Sequence, residues 1–230
     1  MKNYKMKITL KSDTIPGSGE GYGAIIDSDI VFDEVGIPFI PAKRIKGCLR
    51  ESANDVCTML DASKTKILSI DLSMVKEKSK DDKKKKKEFK VVQEIFGKTG
   101  METSAPISFS NFIIKDYQDN FDALVYFETK YPEIVSPQRV VQSYTYLRQS
   151  TAIDETGTAD DHSLRTFRVL KKGKIFEGIL SIGNQDPEVE KLIVLACWNL
   201  RHIGTKRTRG FGEIQCQLFD HQGKEIQVQL

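Results

Sequence analysis

Two segments far apart in this chain of 230 residues repeat apolar side chains with helical period. Their place among strand-like runs limits the fold more than any other feature. The first begins after Pro41, where Ile45, Leu49, Ala53, Val56 and Leu60 fall on one helical face. The second opens at Asp186-Pro187, a carboxylate cap followed by proline, and carries Val189, Leu192, Ile193, Ala196, Leu200 and Ile203 as far as Gly204. Ahead of the first helix, Tyr4, Met6, Ile8 and Leu10 alternate with Lys5, Lys7 and Thr9, the period of a half-buried strand. Further strands are expected at Ile25–Phe32, Pro106–Ile114 and Ala123–Tyr131 from their β-branched and aromatic content, with a short helix around Glu88–Phe96. Leu164–Leu170 and Lys174–Ile182 read as a hairpin about Lys171-Lys-Gly173. Ile214–Leu218 and Glu225–Leu230 read as a closing hairpin about Asp220-His-Gln-Gly223. Setting insertions aside, the order strand, helix, strand, strand, helix, strand is that of an α+β, ferredoxin-like fold, the split βαβ layout shared by RNA-recognition (RRM-like) domains.

Residues 1–230 are expected to form one elaborated domain. Two segments depart from the plain layout. About 71–90 carry nine Lys against five Asp or Glu and offer no apolar face, so a solvated insertion is expected there. Because this stretch alone holds +4 of an overall +3, the rest of the chain sums to −1. Nucleic-acid contact would therefore come from local clusters and not from a uniformly basic surface. About 132–173 include the polar run Asp154–Asp161, suited to an exposed hairpin tip. No apolar run is long enough to span a membrane, and the N-terminus has no apolar signal core, which places the protein in the cytoplasm with no membrane partner. Cys48, Cys57, Cys197 and Cys216 have neither C-x-x-C nor zinc-ligand spacing and are expected to be free thiols. Gly97-Lys-Thr lacks the glycine five positions earlier that a phosphate-binding P-loop needs; Val92 stands there. His162, His202 and His221 show no metal-ligand spacing, and His202 falls on the second helix.

Three constellations carry chemistry. Lys43, Lys46 and Arg50 share a helix face, with Arg44 adjacent. Cations at a helix N-terminus oppose the dipole unless a polyanion offsets them, so either phosphate contact or a plain solvated face accounts for them. Gly204-Thr-Lys-Arg-Thr-Arg-Gly-Phe-Gly212 combines Lys206, Arg207 and Arg209 with Gly210 and Gly212, which allow close backbone approach to phosphate. Phe211 there can stack on a base or fill the core. Behind the glycine-rich Gly17–Gly23 loop, Asp27 and Asp29 lie two apart, and Asp33 starts a turn. Carboxylates so placed can hold hydrated Mg²⁺ or act as bases in phosphodiester cleavage, or simply serve the turn and the surface.

Gly17-Ser-Gly-Glu-Gly-Tyr-Gly-Ala-Ile-Ile-Asp-Ser-Asp-Ile-Val-Phe-Asp33, followed by Gly36-Ile-Pro-Phe-Ile-Pro-Ala-Lys-Arg-Ile-Lys-Gly-Cys-Leu-Arg50, resembles the N-terminal part of the RAMP superfamily of CRISPR-associated proteins. Arg207-Thr-Arg-Gly-Phe-Gly212 is similar to that superfamily's C-terminal glycine-rich loop, and Phe109-Ser-Asn-Phe112 to one of its strands. The resemblance implies a ferredoxin-like palm, a β-hairpin thumb and a place in a type III effector complex, subtype D being the nearest pattern. The implied partners are guide RNA (crRNA), complementary target RNA, other effector subunits and copies of the chain itself. It also implies RNA contact by Gly19, Gly21, Gly23, Lys43, Arg44, Lys46, Arg50, Lys206, Arg207, Arg209, Gly210, Phe211 and Gly212. Asp27 would be the catalytic residue and metal ligand of a divalent-metal (Mg²⁺) endoribonuclease. Asp29, and Ala42-Lys-Arg at the helix entry, depart from the backbone-subunit pattern. That leaves two alternatives open: a non-catalytic subunit capping the guide, and a guide-processing ribonuclease.

Overall fold

The computed structural model describes residues 1–17, 26–64, 68–75, 88–98, 105–153, 157–160, 162–183 and 186–227. The expectations for Gly19, Gly21, Gly23 and Lys83–Lys87 lie outside them.

Strand β1 (Lys2–Leu10) is central, and Tyr4, Met6, Ile8 and Leu10 are all buried as the alternation requires. It pairs antiparallel with β10 (Ile175–Ile182) on one side and β11 (Ile214–Phe219) on the other. Beyond β10 lie β7 (Phe112–Ile114), β3 (Pro38–Ile40) and β2 (Val31–Phe32), giving the order β11-β1-β10-β7-β3-β2, with β6 (Ile107–Phe109) also on β10. Helix α1 (Ala42–Ser63) buries Ile45, Leu49, Ala53, Val56 and Leu60, and α5 (Pro187–Asn199) buries Val189, Leu192, Ile193 and Ala196. These stripes meet the inward side chains of β1 and β10 in one core. The helices are also tied by Ser52 Oγ donating to Ala196 O at 2.8 Å. Asp186 caps α5 by accepting from Glu188 N at 2.9 Å, as its sequence position requires.

Several expected elements differ. Ala123–Tyr131 is not a strand: it lies in α3 (Tyr117–Lys130) and the residue after it. Tyr117, Phe121 and Leu124 pack toward the core at helical spacing, overriding the β propensity of Val125, Tyr126 and Phe127, which stay exposed. Pro106–Ile114 is broken at Ser110-Asn111, because Asn111 Oδ1 turns to accept Ala42 N at the start of α1. Of the expected strand Ile25–Phe32, Ile25 lies outside the described residues, and among 26–32 only Val31–Phe32 is strand; the preceding described residues hold a bridge from Ser28 to Phe167. The second helix stops at Asn199, so His202 is not helical but bridges Glu213.

The expected hairpin about Lys171–Gly173 has both strands correct and the pairing wrong. β9 (Arg165–Leu170) pairs with β8 (Thr145–Ser150), which follows α4 (Pro137–Tyr144), whereas β10 joins the main sheet. Burial decides this: Phe176, Leu180 and Ile182 have the inner faces of β1 and the helices to cover them. The β8–β9 hairpin stands off the sheet, and its described tip residues 157–160 are exposed, as expected. The ends of the 71–90 insertion are not loose either. β4 (Met74–Val75) pairs with β5 (Glu88–Phe89), and Phe89 is fully buried before α2 (Lys90–Phe96). The Asp220–Gly223 turn forms, with Asp220 Oδ1 accepting from Gln222 N and Lys224 N, but the chain returns through one bridge, Phe219 to Glu225. Residues 228–230 of the closing strand lie outside the described residues.

Candidate nucleic-acid interface

Three elements meet: the start of α1 and the 203–212 loop across a shared cleft, and that loop and the β8–β9 hairpin through Lys206. Helix α1 has Pro41 at its N-cap, no side-chain cap bond from that residue and no acidic residue in its first turn. Instead Lys43 is exposed while Arg44 and Lys46 are half-buried. Arg44 Nε is buried with no hydrogen-bond partner among the described residues. A cleft of about 310 Å³ separates this helix start from the loop, bounded by Lys43, Arg44, Gly47, Thr205 and Arg207. An anion there would meet both the positive helix end and the guanidinium groups.

The loop owes its shape to two glycines. At Gly204 (φ +80°) a Cβ would lie 2.2 Å from Ile15 O, and at Gly212 (φ +80°) 2.1 Å from Ile203 O. That closeness lets Thr205 N donate to Ile15 O, and Gly212 N to Asp13 O, stitching the loop to the chain just after β1. Between the glycines, Arg207–Arg209 make a single 3₁₀ turn. Arg209 is exposed; Arg207 donates from Nε to Gly204 O at 3.1 Å and lies 3.4 Å from Glu51. Lys206 Nζ sits 3.4 Å from the centroid of the Phe167 ring and donates to Ser150 Oγ at 3.1 Å. Burial, and then the nearby Arg209 and Arg148, hold its pKa below the ordinary lysine value.

Two expected contact residues are placed otherwise. Arg50 turns inward, clasping Glu88 through Nε and Nη2 (2.6 and 2.7 Å) and donating from Nη1 to Gly97 O at 2.9 Å. It fastens α1 to the base of the insertion. Phe211 is buried with Ile15, Phe167 and Val169, edge-on to Phe167, with the Arg148 guanidinium 5.0 Å above its ring. It is a packing residue. Arg148, exposed on β8, joins the basic surface without having been expected there; its only sequence signal was a lone cation in a segment of no clear period.

The three aspartates part company. Residues 27–28 run beside β9, with Asp27 N donating to Thr166 O and Arg168 N to Ser28 O. Asp27 is exposed; its Oδ2 accepts from Thr166 N at 2.8 Å and its Oδ1 from Arg165 at 3.0 Å. The Thr166 N–H, then Arg165, hold its carboxyl below the usual carboxylate range. Asp29 is not a surface charge: it is buried, its Oδ1 accepting from Arg168 Nε at 2.8 Å and from its neighbour Ile30 N at 2.7 Å. Asp33 serves the turn as expected, Oδ1 accepting from Val35 N and Ile37 N, while Tyr117 donates to Oδ2. Among the described residues no three His, Cys, Asp or Glu side chains cluster to hold a metal. What Asp27 presents is a single exposed carboxylate already shared with the Arg165 guanidinium.

A model of the RAMP superfamily matches residues 7–215, spanning both the α1 entry and the glycine loop. The chain belongs to the RAMP superfamily. Comparison with curated protein sequences gives no match. Among solved structures, this RAMP chain is similar to one in a type III-B Cmr-beta complex bound to cognate target RNA, with TM-score 0.62 and 14% identity over 95% of this chain and 97% of that one. It is also similar to one in the apo state of Cmr-beta (TM-score 0.59, 13% identity, 94% and 97% covered). A chain of a type IV-B CRISPR complex gives TM-score 0.52 at 13% identity, with 99% and 93% covered. At these identities the likeness is one of fold. No helix among the described residues is long and apolar enough to cross a membrane.

Proposed function

We propose that this RAMP chain is a guide-RNA-binding subunit of a type III CRISPR effector complex, working in the cytoplasm beside complementary target RNA and other subunits. The observation that carries the reading is the meeting of an acid-free, cationic helix start with the Gly204–Gly212 loop around a shared cleft. Support comes from the antiparallel order β11-β1-β10-β7 with α1 and α5, which we read as a ferredoxin-like palm, from the β8–β9 hairpin, which we read as a thumb, and from the Cmr-beta likeness in fold. Lys43, Arg44, Lys46, Lys206, Arg207 and Arg209 hold phosphates, and Gly210 leaves the backbone open. Replacing Lys206, Arg207 and Arg209 by alanine should weaken guide retention and flatten the plot of log K against log salt by about 2 units, at about 0.7 per single-strand phosphate contact. An unaltered slope would sink the contact model.

The finer part of the proposal is target-RNA cleavage at Asp27, the exposed carboxylate beside the hairpin. Mg²⁺, when bound, would supply charge neutralisation at a phosphate, taking most of its ligands from water and RNA, since it commonly uses only one or two carboxylates. Asp27, ionised and fixed by Thr166 N–H, holds a defined negative charge where RNA passes. A second reading, a subunit that caps the guide without cutting, is favoured by one observation: Arg165 already neutralises Asp27. Labelled target RNA incubated with the assembled complex and Mg²⁺ separates them. Loss of cutting in Asp27→Ala supports the first; unchanged cutting leaves Asp27 a structural latch.

A further inference from the structure

A cavity of about 620 Å³ opens between the 29–36 segment and α4, within the size typical of small-molecule sites. Its walls are set rigidly. Gly36 (φ +89°) lies so close to α4 that a Cβ would come 2.4 Å from Pro137 O, and both sides of the Asp33 turn are fixed by its carboxylate. At its base the buried Asp29 grips Arg168 by Nε, and the Arg168 guanidinium lies 5.8 Å from the Phe32 ring centroid. Among the described residues the terminal nitrogens of Arg168 donate to no side chain or carbonyl. The same holds for the amides of Gln138 and Gln142, which are exposed on one face of α4. The cavity thus offers an aromatic surface, a planar guanidinium, and two amides that each donate and accept.

Charge narrows the ligand. Asp29 and Arg168 cancel, and Asp33 leaves the lining negative, which disfavours a phosphate and suits a flat, neutral, hydrogen-bonding group. Resting on the RNA-binding reading above, we propose that this cavity receives a single unstacked nucleobase of the bound RNA. In this picture Phe32 and Arg168 hold its plane, and Gln138 and Gln142 read its edge. Single-stranded RNA is recognised by such means: bases splayed onto aromatic or guanidinium planes and hydrogen-bonded along their edges. The same chemistry serves a guide or a target base, so the test probes both strands.

The full-length chain is bound to guide RNA, then to guide plus target, with 2-aminopurine placed at successive positions of one strand at a time. One position should change in fluorescence on binding, and the labelled strand that shows it identifies the source. In Gln138→Ala/Gln142→Ala that change should vanish and affinity fall about 5- to 10-fold with the salt slope unchanged, because hydrogen bonds to a base and no phosphate contacts are lost. Val141→Phe, which fills the cavity without removing a polar group, should do the same; thermal unfolding checks that both variants fold. Wild-type affinity and fluorescence in both folded variants would overturn the cavity's role while leaving RNA binding standing. No RNA binding by the wild-type chain would overturn the RNA-binding reading, and this inference with it.

Discussion

Phe211→Ala separates packing from base stacking at the one aromatic of the glycine loop. The ring is 5% exposed, in a small cluster with Ile15, Phe167 and Val169 apart from the main core. Truncating a buried phenylalanine costs about 3–5 kcal/mol. The satellite position lets neighbours relax, while losing the edge-on Phe167 contact at 6.3 Å works the other way. A cost of about 3–4 kcal/mol follows, a large part of the roughly 5–15 kcal/mol by which a native protein is stable. At about 2–4 °C per kcal/mol for a chain of this size, Tm should fall by about 6–16 °C. Phe211→Leu, which keeps most of the volume, should cost under about 1.5 kcal/mol. Calorimetry gives the Tm, and RNA affinity is measured in the cold, where the variant is folded. Affinity and salt slope should match wild type, since no phosphate contact is lost. If Tm stays put while RNA affinity drops tenfold, the ring leaves its cluster to stack on a base and the packing argument fails.

Arg50→Met should lower stability by about 1–2 kcal/mol, from the lost two-pronged contact to half-buried Glu88 and the lost bond to Gly97 O, discounted for solvent. RNA affinity should hold within about twofold, and denaturant unfolding with filter binding checks both. Gly212→Ala should destabilise far more than Gly210→Ala. Both have φ +80°, but only the first meets a carbonyl oxygen at 2.1 Å, while the second has open space and pays the left-handed cost of about 1–2 kcal/mol alone. Equal melting temperatures would contradict the packing. For Asp27 the folded pKa is depressed, so the latch to Thr166 and Arg165 is at full strength above the unfolded value near 3.8 and is lost as pH falls through the folded value. Carboxyl-carbon NMR should show no Asp27 titration between pH 5 and 8, and Arg165→Ala should raise its midpoint; a wild-type midpoint above 3.8 would refute the geometry.

Local periodicity was enough for β1, α1 and α5, where a single buried face repeats over several turns and Asp186 marks a start. It failed for α3 because Val125, Tyr126 and Phe127 have strand-forming side chains, while the residues that decide, Tyr117, Phe121 and Leu124, begin before the apolar run. It failed for the partner of β10 because pairing is a long-range matter: adjacent strands invite a hairpin, yet burial sent them to different sheets. In the site, residue type marked the basic loop and the helix entry but not commitment. Arg50 and Phe211 suit RNA by type, and only their neighbours Glu88 and Phe167 show them to be spent within the fold. The cavity behind Asp29 had no sequence signal, since Phe32, Gln138 and Arg168 come from three separate segments.

The segment after β1 is anchored to β9 twice, Thr14 against Leu170 and Ser28 against Phe167. On β9 the two anchor points, Leu170 and Phe167, are three residue steps apart, about 10 Å, so Thr14 and Ser28 lie close together beside that strand. Joining two fixed points becomes costlier only slowly with the number of residues between them, about 0.6 kcal/mol per doubling, so the position of Asp27 is set by the pairing beside β9 and not by the length of chain that precedes it.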